Sequence, residues 1–273
     1  MEPDFYARFY DVTRDCRIHS EFCEAVFGID LSQHGFADKE QLDLLIGVSG
    51  MKAGQRAMDV GCGNGKIAEY LSDVTGTQVT GVDNCETAVR AATERTARKR
   101  QKLSFRTGDM NELHMEPQAY DHALFIDSIY FSEDYDATIR RAMDGLALDG
   151  DLLFFYSVGP ALLGTNDIPA ETLQARGTPL AQSLLRAGLT AEHWDLTIQD
   201  YHLARKRRGF LLDHKGQFEE QGAGFIYENR IADATNFIAA IEAGIHRRYL
   251  YRALHPSAAD APPLQPAVGQ GSL

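Results

Sequence analysis

Short apolar runs recur along the chain, separated by segments with helical spacing. Residues 57–60, 78–82, 103–107, 120–126 and 152–156 each read as a strand, and the wholly apolar 152–156 as one buried on both faces. Around them, Ile18, Phe22 and Val26, then Ile139, Ala142, Met143 and Leu146, and later Phe237, Ile238, Ile241 and Ile245 repeat at the spacing of one helical face. Ser132, followed by Glu133, Asp134 and Asp136, reads as the N-cap of the helix before the fifth strand, and Leu148-Asp149-Gly150-Asp151 as the turn into that strand. A further helix is expected over residues 178–187, a sixth strand across 190–203 and a last strand across 248–254, where apolar and polar residues partly alternate. Strands alternating with helices predict an α/β fold with a doubly wound sheet.

The first strand runs into Asp59-Val60-Gly61-Cys62-Gly63-Asn64-Gly65-Lys66. Glycines here can take backbone angles closed to other residues and let a ligand approach the main chain, while the amides of the following helix face it. The second strand ends in Asp83, where a dinucleotide-type fold places an acid to hold ribose hydroxyls, which favours an adenosine-containing cofactor. A dinucleotide fingerprint would need glycine or alanine at position 66, and this chain has Lys66.

The Asp-x-Gly-x-Gly-x-Gly motif followed by a second strand with an acidic end resembles the class I S-adenosylmethionine-dependent methyltransferases. The resemblance extends over residues 55–157. It implies a mostly parallel, seven-stranded Rossmann-like sheet with an antiparallel last strand, and S-adenosylmethionine as cofactor. Asp109, after the third strand, stands where the family meets the adenine amino group, and Met110 where the next residue lies against the ring. Asp127-Ser128-Ile129-Tyr130 stands where the family lines the methionine end and the acceptor pocket. The cofactor set is then Asp59, Gly61, Cys62, Gly63, Gly65, Asp83, Asn84, Asp109, Met110, Asp127 and Tyr10, with Asp59 expected to order the loop. The family also implies an N-terminal helical cap that brings an aromatic or histidine near the methyl group, with Tyr6, Tyr10, His19 and His34 as candidates.

Composition narrows the partners. A chain of 273 residues with 44% hydrophobic content can bury a substantial core. A net charge of -12 argues against a nucleic-acid partner. Neither a leader nor a membrane-length apolar run is read, so a cytoplasmic protein without membrane contact is expected. Cys16, Cys23, Cys62 and Cys85 lack the spacing of a zinc site or a disulfide scaffold and read as reduced thiols, and no metal cluster is read.

The expected organisation is a helical cap over residues 1–50, a cofactor-binding core over 51–204, a helical lid insertion over 205–245, the final core strand over 246–256 and a flexible tail over 257–273. Arg98-Lys99-Arg100 reads as helix-end surface. The runs Arg205-Lys206-Arg207-Arg208 and His246-Arg247-Arg248 read first as solvated faces, although they could meet near the acceptor and suit an anion. A sulfonium methyl is already activated, so the expected activity is in-line methyl transfer to a small-molecule acceptor, through N, O, S or C. A base, where one is needed, would come from His34, Asp127 or Tyr130, with Glu133 and His202 behind them. Alternative readings are C-methylation of an isoprenoid diphosphate, an NAD-dependent oxidoreductase, and a noncatalytic adenosine-binding protein.

Overall fold

The structure, a computed structural model, describes residues 5–255. Three helices come first: α1 (Phe5–Thr13), α2 (Arg17–Phe27) and α3 (Lys39–Ser49). An alternating core follows with β1 (Arg56–Val60), α4 (Lys66–Thr75), β2 (Gln78–Asp83), α5 (Glu86–Arg95), β3 (Leu103–Thr107), β4 (Tyr120–Ile126), α6 (Tyr135–Asp144) and β5 (Leu146–Val158). After β5 come the short α7 (Pro160–Leu163) and α8 (Ala170–Leu173), then α9 (Pro179–Arg186) and β6 (Thr190–Asp195). Two long helices, α10 (Thr197–Glu220) and α11 (Gly224–Glu242), lead into the closing strand β7 (Arg247–Leu254).

The seven strands form one sheet in the order β3-β2-β1-β4-β5-β7-β6. β1 to β5 pair in parallel, whereas β7 runs antiparallel to both β5 and β6. Helices cover both faces, and strand alternation sorts the apolar side chains between them. From β5, Leu152, Phe154, Tyr156 and Val158 pack with Met58, Val60 and Phe125 under α6 and α9. Leu153 and Phe155 face the other way, joining Ala57, Leu124 and Leu250 under α3 and α4. Strand order reverses between β1 and β4, which opens a crevice at the carboxyl ends of the strands.

A third apolar cluster lies outside the sheet. Phe9, Ile18, Phe22, Val26 and Phe27 of α1 and α2 pack against Leu203, Leu211 and Phe218 of α10 and Ile226 and Tyr227 of α11. The first helices and the late insertion therefore build one cap from residues nearly two hundred positions apart.

Three local expectations differ. The sixth strand ends at Asp195, whose carboxylate accepts the Thr197 amide at 2.9 Å and helps to start α10, so residues 197–203 are helix. The expected turn at 148–151 lies within β5, whose pairing with β4 shifts from Tyr120↔Leu146 to His122↔Asp151. Asp151 is buried there by His122 at 2.6 Å and Arg252 at 2.7 Å. The N-cap of α6 is Asp134, which accepts the Ala137 amide at 3.1 Å, while Ser132 bonds the Thr138 hydroxyl. The tail expected over 257–273 lies outside the described residues.

Candidate cofactor and acceptor site

The glycine turn is held from beneath by the second strand. The amides of Gly61 and Cys62 donate to the Val82 carbonyl at 2.7 and 3.1 Å. The Gly63 amide donates to one carboxylate oxygen of Asp83 at 2.7 Å, and the Cys85 amide to the other at 2.9 Å. Gly61 and Gly63 have φ of 79° and 53°, and a Cβ on them would collide with Ser128 and with the Tyr10 hydroxyl respectively. The turn therefore needs glycine both for its backbone angles and for the close packing above it.

Burial raises the Asp83 carboxyl, and the two amides that bond it pull in the opposite direction. Asp59 lies behind the turn, 2% exposed, with Oδ1 unpartnered. Burial, aided by the Asp83 charge, raises its pKa to about 7. The loop amides are satisfied by Val82 and Asp83, so the expected ordering of the loop by Asp59 does not occur through hydrogen bonds to those amides.

Over the turn and the carboxyl ends of β1, β2 and β4 lies a cavity that opens to solvent. The core supplies Gly61, Cys62, Gly63, Asp83, Asn84, Gly108, Met110, Asp127 and Ser128, and the cap supplies Tyr6, Tyr10 and the loop from Gln33 to Ala37. Tyr10, His34, Gly61, Cys62, Gly63, Asp83, Asn84, Met110 and Asp127 are thus brought together from the residues singled out above.

The others stand elsewhere. Gly65 ends the turn beneath Phe105 and Ala92, with φ of 69°. Asp109 is exposed and accepts the Asn111 amide at 2.8 Å, capping the single turn at residues 110–112. Tyr130 accepts the Ser157 amide with its hydroxyl and lines a second cavity with Phe36, Phe237 and His246. His19 is buried beside the Cys23 thiol at 3.5 Å, and burial lowers its pKa to about 3. His202 is exposed on α10.

Within the cavity, the candidate bases differ in what they have free. The Asp127 carboxylate receives both terminal nitrogens of Arg248, at 2.7 and 3.0 Å, and the Phe36 amide at 2.7 Å. His34 keeps Nε2 unpartnered, and burial together with the Arg230 and Arg207 charges holds it well below the usual histidine range, hence neutral at neutral pH. Burial raises the Cys62 thiol well above its ordinary value, which leaves it protonated.

In the sequence Arg207 was legible only as one member of a charge run, and Arg230 was not singled out. Arg207 is fully buried while Arg205, Lys206 and Arg208 beside it are exposed, and Arg230 is fully buried on α11. The signal was periodicity: Leu203, Arg207 and Leu211 recur every four residues on the buried stripe of α10, as do Ile226, Arg230, Ala234 and Ile238 on that of α11. Burial lowers the Arg207 pKa to about 9, so the group remains charged at neutral pH.

Comparison with known proteins follows the same outline. The family model described as a methyltransferase domain matches residues 57–150. The ubiquinone biosynthesis O-methyltransferase of Bordetella bronchiseptica is 33% identical over 111 residues, 40% of this chain and 45% of that protein. Phosphoethanolamine N-methyltransferase 2 of Caenorhabditis elegans is 23% identical over 221 residues, 80% of this chain and 50% of that protein. The chain thus spans about half the length of these curated relatives. Among solved structures, phosphoethanolamine N-methyltransferase 2 of Haemonchus contortus, bound to phosphomonomethylethanolamine and S-adenosylhomocysteine, superposes with a TM-score of 0.71 at 20% identity. That match covers 92% of this chain and 60% of the other.

Proposed function

From a chain with the class I S-adenosylmethionine-dependent methyltransferase fold and a methyltransferase domain over residues 57–150, we propose a small-molecule methyltransferase. The observation that carries the reading is the Asp83 carboxylate set in a cavity wall beside a glycine turn, at the point where strand order reverses. Asp83 would accept the ribose hydroxyls, the main chain at Gly61 to Gly63 would lie along the amino-acid end, and Met110 would pack on the adenine. The sulfonium supplies a methyl group already activated for displacement. What this chain must contribute is alignment of the acceptor with the methyl carbon and exclusion of water, which are the tasks of a cap. Tyr6, Tyr10 and His34 descend from the cap into the cavity, where they would shape the acceptor pocket and exclude water.

Calorimetric titration of the protein with S-adenosylmethionine, S-adenosylhomocysteine and NAD tests this reading. Micromolar binding of the first two, followed by label transfer from methyl-labelled cofactor in an acceptor screen, is expected. Binding of NAD alone would overturn it.

A further inference from the structure

Behind the Gln33–Ala37 loop the structure buries polar groups with unused hydrogen-bonding capacity. Arg207 has no exposed surface, and none of its three guanidinium nitrogens makes a hydrogen bond. The ring of Phe36 lies 4.4 Å from its guanidinium carbon. Arg230 spends its two terminal nitrogens on the carbonyls of His34 and Gln33, at 2.7 Å each, and leaves Nε unpartnered. Gln33 Oε1, His34 Nε2 and Asn229 Oδ1 are likewise buried without partners.

Arg248 shows how this fold treats an arginine used as a structural tie. It stands 6.0 Å from the same Phe36 ring, is equally buried, and is fully engaged by Asp127, Gln41 and Ser157. Two of the carboxylates whose charges reach Arg207 are taken, Asp127 by Arg248 and Asp200 by His246 at 2.9 Å. Asp233 acts on Arg207 and Arg230 through its charge without reaching hydrogen-bond distance of Arg207. An uncompensated buried cation is among the costliest arrangements in a protein interior, and an unsatisfied buried group calls for a missing partner. The loop in front of it lies on the candidate active cavity, since Gln33, His34, Gly35 and Ala37 line that cavity while Phe36 lines the neighbouring one.

We propose that Arg207 is the anchor for an oxyanion, a carboxylate or a phosphate, carried by the methyl acceptor, with the free Nε–H of Arg230 as a second donor. The planar guanidinium fork matches two oxygens of either group. In a chain of net charge -12, selection of an anion requires a local built site of this kind. The inference rests on the methyl-transfer reading for the identity of the ligand as acceptor, and the binding site itself can be tested apart from it.

Wild type, Arg207→Met and Arg207→Lys are titrated with inorganic phosphate and with acetate at constant ionic strength set by chloride, following the thermal unfolding midpoint. Each protein is also titrated with S-adenosylhomocysteine. Wild type is expected to gain stability saturably with at least one of the two anions, and the responding anion assigns the class. Arg207→Lys, which keeps the charge but loses the planar fork, raises the half-saturation by less than Arg207→Met, which raises it about tenfold or more. Without anion, Arg207→Met unfolds at the wild-type temperature or higher, because an uncompensated charge has been removed, and S-adenosylhomocysteine still binds all three proteins. No saturable response of wild type to either anion, an unchanged response in Arg207→Met, or an Arg207→Met protein that is less stable or does not fold each overturns the proposal. Absence of S-adenosylhomocysteine binding to wild type would instead remove the methyl-transfer reading and leave the anion result to stand or fall alone.

Discussion

Replacing Asp127 by asparagine keeps the shape of the side chain and removes its charge, which makes it a direct test of what this residue does. The carboxylate takes three short donors, two from Arg248 and one from the Phe36 amide, with the Asp127 and Arg248 side chains only 3% and 0% exposed. An amide can accept from the Phe36 amide or from one arginine nitrogen, but its own NH2 then faces a second donor. Arg248 retains Gln41 at 3.0 Å and Ser157 at 3.1 Å, neither of them charged. Leaving a buried arginine without its counter-ion costs about 3–5 kcal/mol, and for a chain of this size each kcal/mol moves the midpoint by roughly 2–4 °C. The variant should therefore melt roughly 10 °C lower, measured by circular dichroism or calorimetry. Adding Arg248→Met should restore much of the loss, giving a double-mutant cycle with a large coupling energy. A loss below about 1 kcal/mol, or additive single and double variants, would refute the view that Asp127 is a structural tie and return it to the list of free bases.

The other predictions concern the turn and its acids. Burial raises Asp59 in the folded state to about 7, against about 4 when unfolded, so its contribution is present below pH 4 and is lost as pH rises through 7. Asp59→Asn should match wild type below about pH 4 and melt progressively higher than wild type as pH rises toward about 8, and superimposable stability-pH curves would show that no such shift exists. Asp83→Ala removes the acceptor for Gly63 and Cys85 as well as the carboxylate in the cavity wall. Two lost charge-assisted bonds to the ribose, at about 1.5–3 kcal/mol each, predict a loss of at least roughly a hundredfold in S-adenosylhomocysteine affinity, and a loss under about fivefold in calorimetry would place the ribose elsewhere. Gly63→Ala forces a side chain onto the Tyr10 hydroxyl at a φ of 53° and should cost about 1–3 kcal/mol, part of it recovered by Tyr10→Ala. Equal melting temperatures for Gly63→Ala and wild type would mean that Tyr10 does not close on the turn.

The local periodicities written into the chain determined much of what is seen. The apolar runs became β1, β4 and β5 because a strand covered on both faces is hydrophobic at consecutive positions, and the glycines of the first turn are required by backbone angles that no packing can change. The placement of Asp83 at a strand end was legible for the same reason, since two such ends beside a change of strand order converge in any doubly wound sheet. What could not be read were the outcomes of contacts between distant residues. Asp109 turned outward to cap its own turn, Tyr130 was drawn to the Ser157 amide, and Asp127 was claimed by an arginine 121 positions away. The cap was decided in the same manner: the apolar faces of α1 and α2 meet α10 and α11, and that meeting buries Arg207 and Arg230 while leaving the neighbours of Arg207 in water. A charge run looks alike from the sequence whichever member points inward. Burial, counter-ion and exposure are properties of the packed interface, and they separate a surface arginine from one awaiting a ligand.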